Sequence, residues 1–182
     1  MTLRTNLRED FKVNTRALDR LTVTAYRINQ AATRGRLRIV KKVAAKVIDV
    51  IWLQLVIGAD LPGTANIGPG LRMPHGGRGV TLTPGLTVGA NATIYHRTTL
   101  GRFTGDKSNV PTIGDDFYLG AAAQVMGRVT VGDAVRIGAG AQIASLGLSI
   151  GDGARIAAGA VPFEDIPARH NASGNPAVIK SR

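Results

Sequence analysis

The sequence predicts an all-β, left-handed parallel β-helix built on six-residue repeats, with an N-terminal α-helical segment before it. Three observations carry this. An aliphatic residue recurs at every sixth position through Val88, Ile94 and Leu100, and again through Ile113, Leu119, Val125, Val131, Ile137 and Ile143. After one extra residue the register resumes at Ile150 and Ile156. The position four later is small or short (Ala92, Thr98, Ala123, Val129, Ala141, Ala154, Ala160), and the position just after the aliphatic is usually Gly. An α-helix spaces its apolar residues three or four apart and a strand two apart, so neither explains six. A short strand closed by a tight turn does, and a fixed short period names the architecture. Three such units close one triangular coil, and coils stack at about 4.8 Å. The aliphatic is expected to point inward, the small residue to fill the corner, and the Gly to supply unusual backbone angles.

The helical segment is read over residues 1–57, the β-helix over 58–165 and a tail over 166–182. Met1–Asp10 is too charged and polar for a signal peptide. Arg16–Ala32 reads as a helix, and Arg34-Gly-Arg as the break after it. In the next helix Val40, Val43, Ala44, Val47, Ile48, Ile51, Trp52, Leu55 and Val56 form one stripe. The stripe predicts docking on the protein's own core or on a neighbouring subunit. The alternative is peripheral membrane contact, favoured by Arg34, Arg36, Arg38, Lys41, Lys42 and Lys46. Val43–Ala59 is too short to span a bilayer and carries Lys46 and Asp49. The expected location is cytoplasmic, with the inner membrane face as the variant.

Within the β-helix the register runs back through Met73, Ile67 and Leu61. From Met73 to Leu82 is nine residues, which is six plus a three-residue insertion. From Leu100 to Ile113 is thirteen, so a loop protrudes over 101–112 (Arg102 to Pro111 reads Arg-Phe-Thr-Gly-Asp-Lys-Ser-Asn-Val-Pro). Long loops in regular repeats concentrate function.

Composition narrows the chemistry. Among 182 residues there is no Cys, which excludes disulfides, thiolate metal sites and a Cys nucleophile. The net charge is +11. The first sixty residues hold 12 Lys and Arg against 5 Asp and Glu, or +7, leaving +4 for the rest. Such charge suits an anionic ligand or surface. No recognition motif or set of stacking aromatics supports nucleic acid.

Of the three histidines, His75 and His96 each occupy the third position of a rung and lie 21 residues apart. Removing the insertion leaves 18, one full coil. Both therefore belong on one face, pointing outward and expected beside the 101–112 loop. A neutral imidazole is the usual base for a hydroxyl near neutral pH. A metal site normally needs three ligands, and no third appears at coil spacing, so no metal is expected.

The stretch Ala59-Asp-Leu-Pro-Gly-Thr-Ala-Asn-Ile-Gly-Pro-Gly-Leu-Arg-Met-Pro-His-Gly, the rung Ile94-Tyr-His-Arg-Thr-Thr-Leu-Gly and the tail Ala172-Ser-Gly-Asn-Pro-Ala-Val-Ile-Lys resemble the serine acetyltransferase family. They look closest to its branch that O-acetylates sugars of exopolysaccharides, of the colanic acid type. The resemblance runs from roughly Val40 to the C-terminus. It implies a homotrimer, acetyl-CoA as donor and direct attack of an acceptor hydroxyl on the thioester. His75 matches the catalytic base, Asp60 the acid that orients it or contacts the acceptor, and His96 a histidine of the sugar branch. Gly101 and Arg102 match the position beside the thioester, where a backbone N–H would meet the oxyanion. Ala121 and Ala139 match backbone contacts to the pantetheine arm, and Lys180 could meet the phosphates. Three positions depart: Pro74 stands where serine enzymes carry Asp, and Asn109 and Val110 where they carry an Arg-His pair. These departures predict an uncharged acceptor, a carbohydrate hydroxyl, rather than L-serine. Serine O-acetyl transfer and a metal hydratase of the γ-carbonic anhydrase type remain the alternatives.

Overall fold

The computed structural model describes residues 2–35, 39–103 and 106–181. Arg36, Arg38, Thr104 and Gly105 lie outside the described residues, as do the side chains of Val40, Lys41 and Lys42.

The repeat folds as a parallel β-solenoid of about six turns behind an N-terminal helical segment. Its three sheets are one per prism face. The first contains Asn66–Ile67, Thr87–Val88, Thr112–Ile113, Thr130–Val131 and Ser149–Ile150. The second contains Thr93–Ile94, Tyr118–Leu119, Arg136–Ile137, Arg155–Ile156, His170–Ser173 and Val178–Ser181. The third contains Thr81–Leu82, Thr99–Gly101, Gln124–Gly127 and Gln142–Ser145. Strands pair in parallel, aliphatic on aliphatic: Val88 on Ile113, Ile94 on Leu119, Leu100 on Val125. Among the described residues only Val178–Ser181 runs antiparallel, folding the tail back on His170–Ser173. Every aliphatic and every corner residue named from the repeat is buried.

The rung glycines have a different reason from the expected one. Gly120 does not adopt a positive φ; a Cβ there would meet the Ala139 backbone nitrogen of the next coil at 2.5 Å. The left-handed residue comes two positions later, at Ala122 (φ 59). Gly120 is thus a spacing requirement between coils, and the turn angle is carried elsewhere.

Three helices precede the prism: α1 (Leu3–Val13), which the sequence reading passed over, α2 (Ala17–Arg34) and α3 (Ile39–Ile48). From α3 the chain continues through a π-helical stretch, Asp49–Ile57. The wider i→i+5 winding shifts the buried side to Ala45, Asp49, Leu53 and Ile57. The predicted stripe is therefore split. Ile48 and Trp52 pack on the core, while Val43, Val47, Ile51, Leu55 and Val56 are exposed in the single chain. Among the described residues no helix is long and apolar enough to cross a membrane.

Arg27 fastens the helices to the first coil. Fully buried, it donates to both carboxylate oxygens of Asp10 (2.7 and 3.1 Å) and to the carbonyls of Ile67 (2.7 Å) and Gly68 (2.6 Å). Asp10 in turn accepts from Leu71 N–H (2.9 Å).

Candidate active site

Strands of the second sheet turn into the third along one edge of the prism. The residue two past each inward aliphatic stacks there in a column. Arg72 pairs with Thr93, Ile94 with Leu119, and Leu119 with Ile137; His96, Ala121 and Ala139 share one rung position on successive coils, and on the coil above His96 the carbonyl in that position belongs to Arg78, with His75 just before it on the insertion. The two imidazoles meet edge to face with centroids 5.0 Å apart. The shared face predicted by rung arithmetic is therefore present.

His75 sits on the three-residue insertion itself, in a 3-10 turn over Pro74–Gly77, with φ 60. That left-handed conformation is held by its neighbours: Gly76 N–H donates to Asp19 Oδ1 at 2.7 Å. The same left-handed conformation recurs at other turns of the prism, among them Arg97, Ala122 and Ala134. His96 is half-buried, and its Nδ1 has no partner among the described residues.

Beside His75 opens a polar hollow of about 270 Å³, lined by Thr15, Arg16, Asp19, Arg72 and Tyr95. It holds one carboxylate and two guanidinium cations, yet among the described residues neither Arg16 nor Arg72 forms an ion pair. Sequence reasoning missed these three. Arg72 had a signal, since it stands one before an inward aliphatic and so faces out. Arg16 and Asp19 had none, because no repeat relates the start of α2 to a rung some 57 residues on.

Asp60 pairs with Thr81 at the top of the third sheet and lines a separate hollow with Gln54, Gly58 and Ala59. Its carboxyl is raised above its ordinary value, first by burial and then by the neighbouring Asp49. Gly101 ends a third-sheet strand, and Arg102 follows it with its Nε buried and unpartnered among the described residues. The 101–112 loop leaves from there, between the third and first sheets. Within one prism it is therefore a whole face away from the histidine edge, not beside it as expected.

Lys180 pairs with Asn171, in the row that continues through Arg155, Arg136 and Tyr118 across the second sheet. These residues line a groove of about 840 Å³. The Arg136 guanidinium lies 4.3 Å over the Tyr118 ring, and Asn171 Oδ1 is buried without a partner among the described residues. Burial, and then Tyr95, raises the Tyr118 phenol. Three cations in a row suit a polyanion. Among the described residues, no three His, Cys, Asp or Glu side chains gather as a metal site.

The fold and the edge column define a hexapeptide-repeat solenoid of the transferase kind, and residues 111–145 match the family model described as bacterial transferase hexapeptide (six repeats). More particularly, the chain is similar to serine acetyltransferases. It is 40% identical over 95 residues to that of Helicobacter pylori strain J99, covering 50% of this chain and 54% of that protein. It is 32% identical over 127 residues to serine acetyltransferase 4 of Arabidopsis thaliana, covering 68% of this chain and 30% of that one. The chain thus spans about half the length of the bacterial relative and less of the plant one. Among solved structures, the soybean serine acetyltransferase apoenzyme superposes with a TM-score of 0.68 at 26% identity, covering 98% of this chain and 69% of that one. The Neisseria gonorrhoeae enzyme gives 0.65 at 24%, covering 99% and 64%.

These relatives overturn the sugar-acetylating branch and the carbohydrate acceptor read from the sequence. That reading rested on missing charges at Pro74, Asn109 and Val110. The neighbourhood of His75 is nonetheless charged, through Arg16, Asp19 and Arg72.

Proposed function

We propose that this chain is an acetyl-CoA-dependent O-acetyltransferase whose acceptor is L-serine. The observation that carries the proposal is the hollow at His75, where a polar space of about 270 Å³ presents both a carboxylate and guanidinium cations to a small zwitterion. The names of the relatives agree with it.

Acetyl-CoA, when bound, supplies an activated acyl thioester. The basic row of Arg136, Arg155 and Lys180 fits its phosphates, and the column of Ala121 and Ala139 leads from that groove's side of the prism toward His75. His75 takes the proton of the serine hydroxyl as that oxygen attacks the acyl carbon, then gives it to the departing sulfur. His96, edge-on to His75, fixes its ring plane. Asp19, holding the Gly76 amide, keeps the His75 turn in place and turns a negative charge toward the acceptor's ammonium.

The loop and the histidines stand at opposite edges of one face, so a site using both draws on two prisms. A head-to-tail contact that closes by rotation gives a ring, and a homotrimer suits a triangular prism.

The test is CoA release, followed by a thiol reagent. Purified protein is expected to release CoA from acetyl-CoA with L-serine, forming O-acetylserine. His75→Ala should lose about 10²- to 10⁴-fold in turnover while acetyl-CoA affinity stays within about twofold. Failure of L-serine to release CoA overturns the acceptor, and near-normal turnover in His75→Ala overturns the base.

A further inference from the structure

We infer that the carboxylate of the amino-acid acceptor is held by Arg16 and Arg72, so that these two residues set specificity for a substrate bearing a carboxylate. The inference rests on the serine reading above and adds to it the groups that choose the acceptor.

Arg16 is the N-cap residue immediately before α2, and Asp19 stands in that helix's first turn. Arg72 enters from the prism, where its backbone pairs with Thr93. The two cations thus reach the His75 hollow from different elements. Both are exposed and, among the described residues, neither is paired with a carboxylate within 4.0 Å. Asp19 lies in the same hollow but is committed to the Gly76 amide at 2.7 Å. Two uncommitted guanidiniums beside one engaged carboxylate make a net positive pocket. Guanidinium matches a carboxylate with paired N–H donors, which fixes orientation as well as charge. In L-serine the hydroxyl oxygen is three bonds from the carboxylate carbon, so a carboxylate seated on this pair leaves the hydroxyl on the His75 side of the hollow. Arg72 is also set apart from the lower cationic row, because Thr93 and Tyr118 intervene between it and Arg136 in the sheet. It is therefore available to the acceptor while the lower row serves the donor.

The experiment measures steady-state kinetics of the full chain in the wild type, Arg16→Gln and Arg72→Gln, varying L-serine and acetyl-CoA separately. A charged hydrogen bond lost to a substrate predicts a serine KM raised about tenfold to a hundredfold in each variant. The acetyl-CoA KM should move less than about twofold, and kcat at saturating serine should be largely kept. Arg72→Lys, which keeps the charge and loses the fork, should recover part of the serine KM. Since both side chains are exposed, unchanged far-ultraviolet circular dichroism is expected as the folding control. A serine KM unchanged in both variants overturns the inference, as does a rise shared equally by serine and acetyl-CoA. If the wild type releases no CoA with L-serine, the serine reading falls and takes this one with it. That outcome is distinct from a wild type that works and variants that match it.

Discussion

His75 shows how much one residue can hold. It has a side chain suited to proton transfer, a left-handed backbone, and a position on the three-residue insertion between Met73 and Leu82. Its strain is tolerable because Asp19 engages the next amide and because glycines follow at 76 and 77. Asp60 is the contrasting case. Matched by resemblance to a partner of His75, it lines another hollow, and its electrostatic neighbours are Asp49 and Lys46. Its raised carboxyl has a thermodynamic consequence. The folded chain holds the Asp60 proton more tightly than the unfolded chain, whose value is near 3.8. The resulting stabilisation is complete below that value and is lost as pH rises through the higher folded value. Asp60→Asn should therefore gain urea stability relative to the wild type as pH rises through this window. Parallel pH dependences in the two proteins would contradict the assignment.

At the scale of elements, the rungs and the helices obey different logics. A rung is legible because each inward aliphatic contributes on the order of 1.5–3 kcal/mol by burial, and the repeat forces the same solution coil after coil. Gly120 was seen as a repeat position but misread as a turn, since only stacked coordinates reveal the Ala139 nitrogen against it. The helices attach through several polar contacts, of which the buried ion pair is Arg27 with Asp10, Arg27 also donating to two carbonyls of the first coil. Arg27→Leu leaves Asp10 buried and uncompensated and should cost about 3–5 kcal/mol, read as a drop in urea midpoint. Asp10→Asn in the same background should restore part of the loss, because it removes the stranded charge. The π-helical stretch had no readable signal: its sequence, Asp-Val-Ile-Trp-Leu-Gln-Leu-Val-Ile, fits an ordinary helix equally well.

For the whole molecule, the separation of the histidine edge from the 101–112 loop has a direct consequence for assembly. Phe103, at the loop's start, and Leu146, on the same edge two coils on, are both exposed in the single chain. A head-to-tail ring would cover them. Sedimentation equilibrium is expected to give three chains, and Phe103→Glu to shift the population toward single chains with loss of turnover. A monomer with full activity would refute the shared site.

The sequence by itself determined the solenoid, its inward columns, the three breaks in its register and the placing of His75 and His96 on one face. Each follows from a period of six, and a period is a one-dimensional property that survives in the written chain. The tertiary structure alone decided what stands around those histidines. Arg16 and Asp19 reach His75 because Arg27 and Asp10 dock α1 and α2 against the first coil, a contact between segments that share no repeat. The charges that bear on the acceptor come from outside the register, so a reading confined to the register found an uncharged site where the folded chain has a charged one.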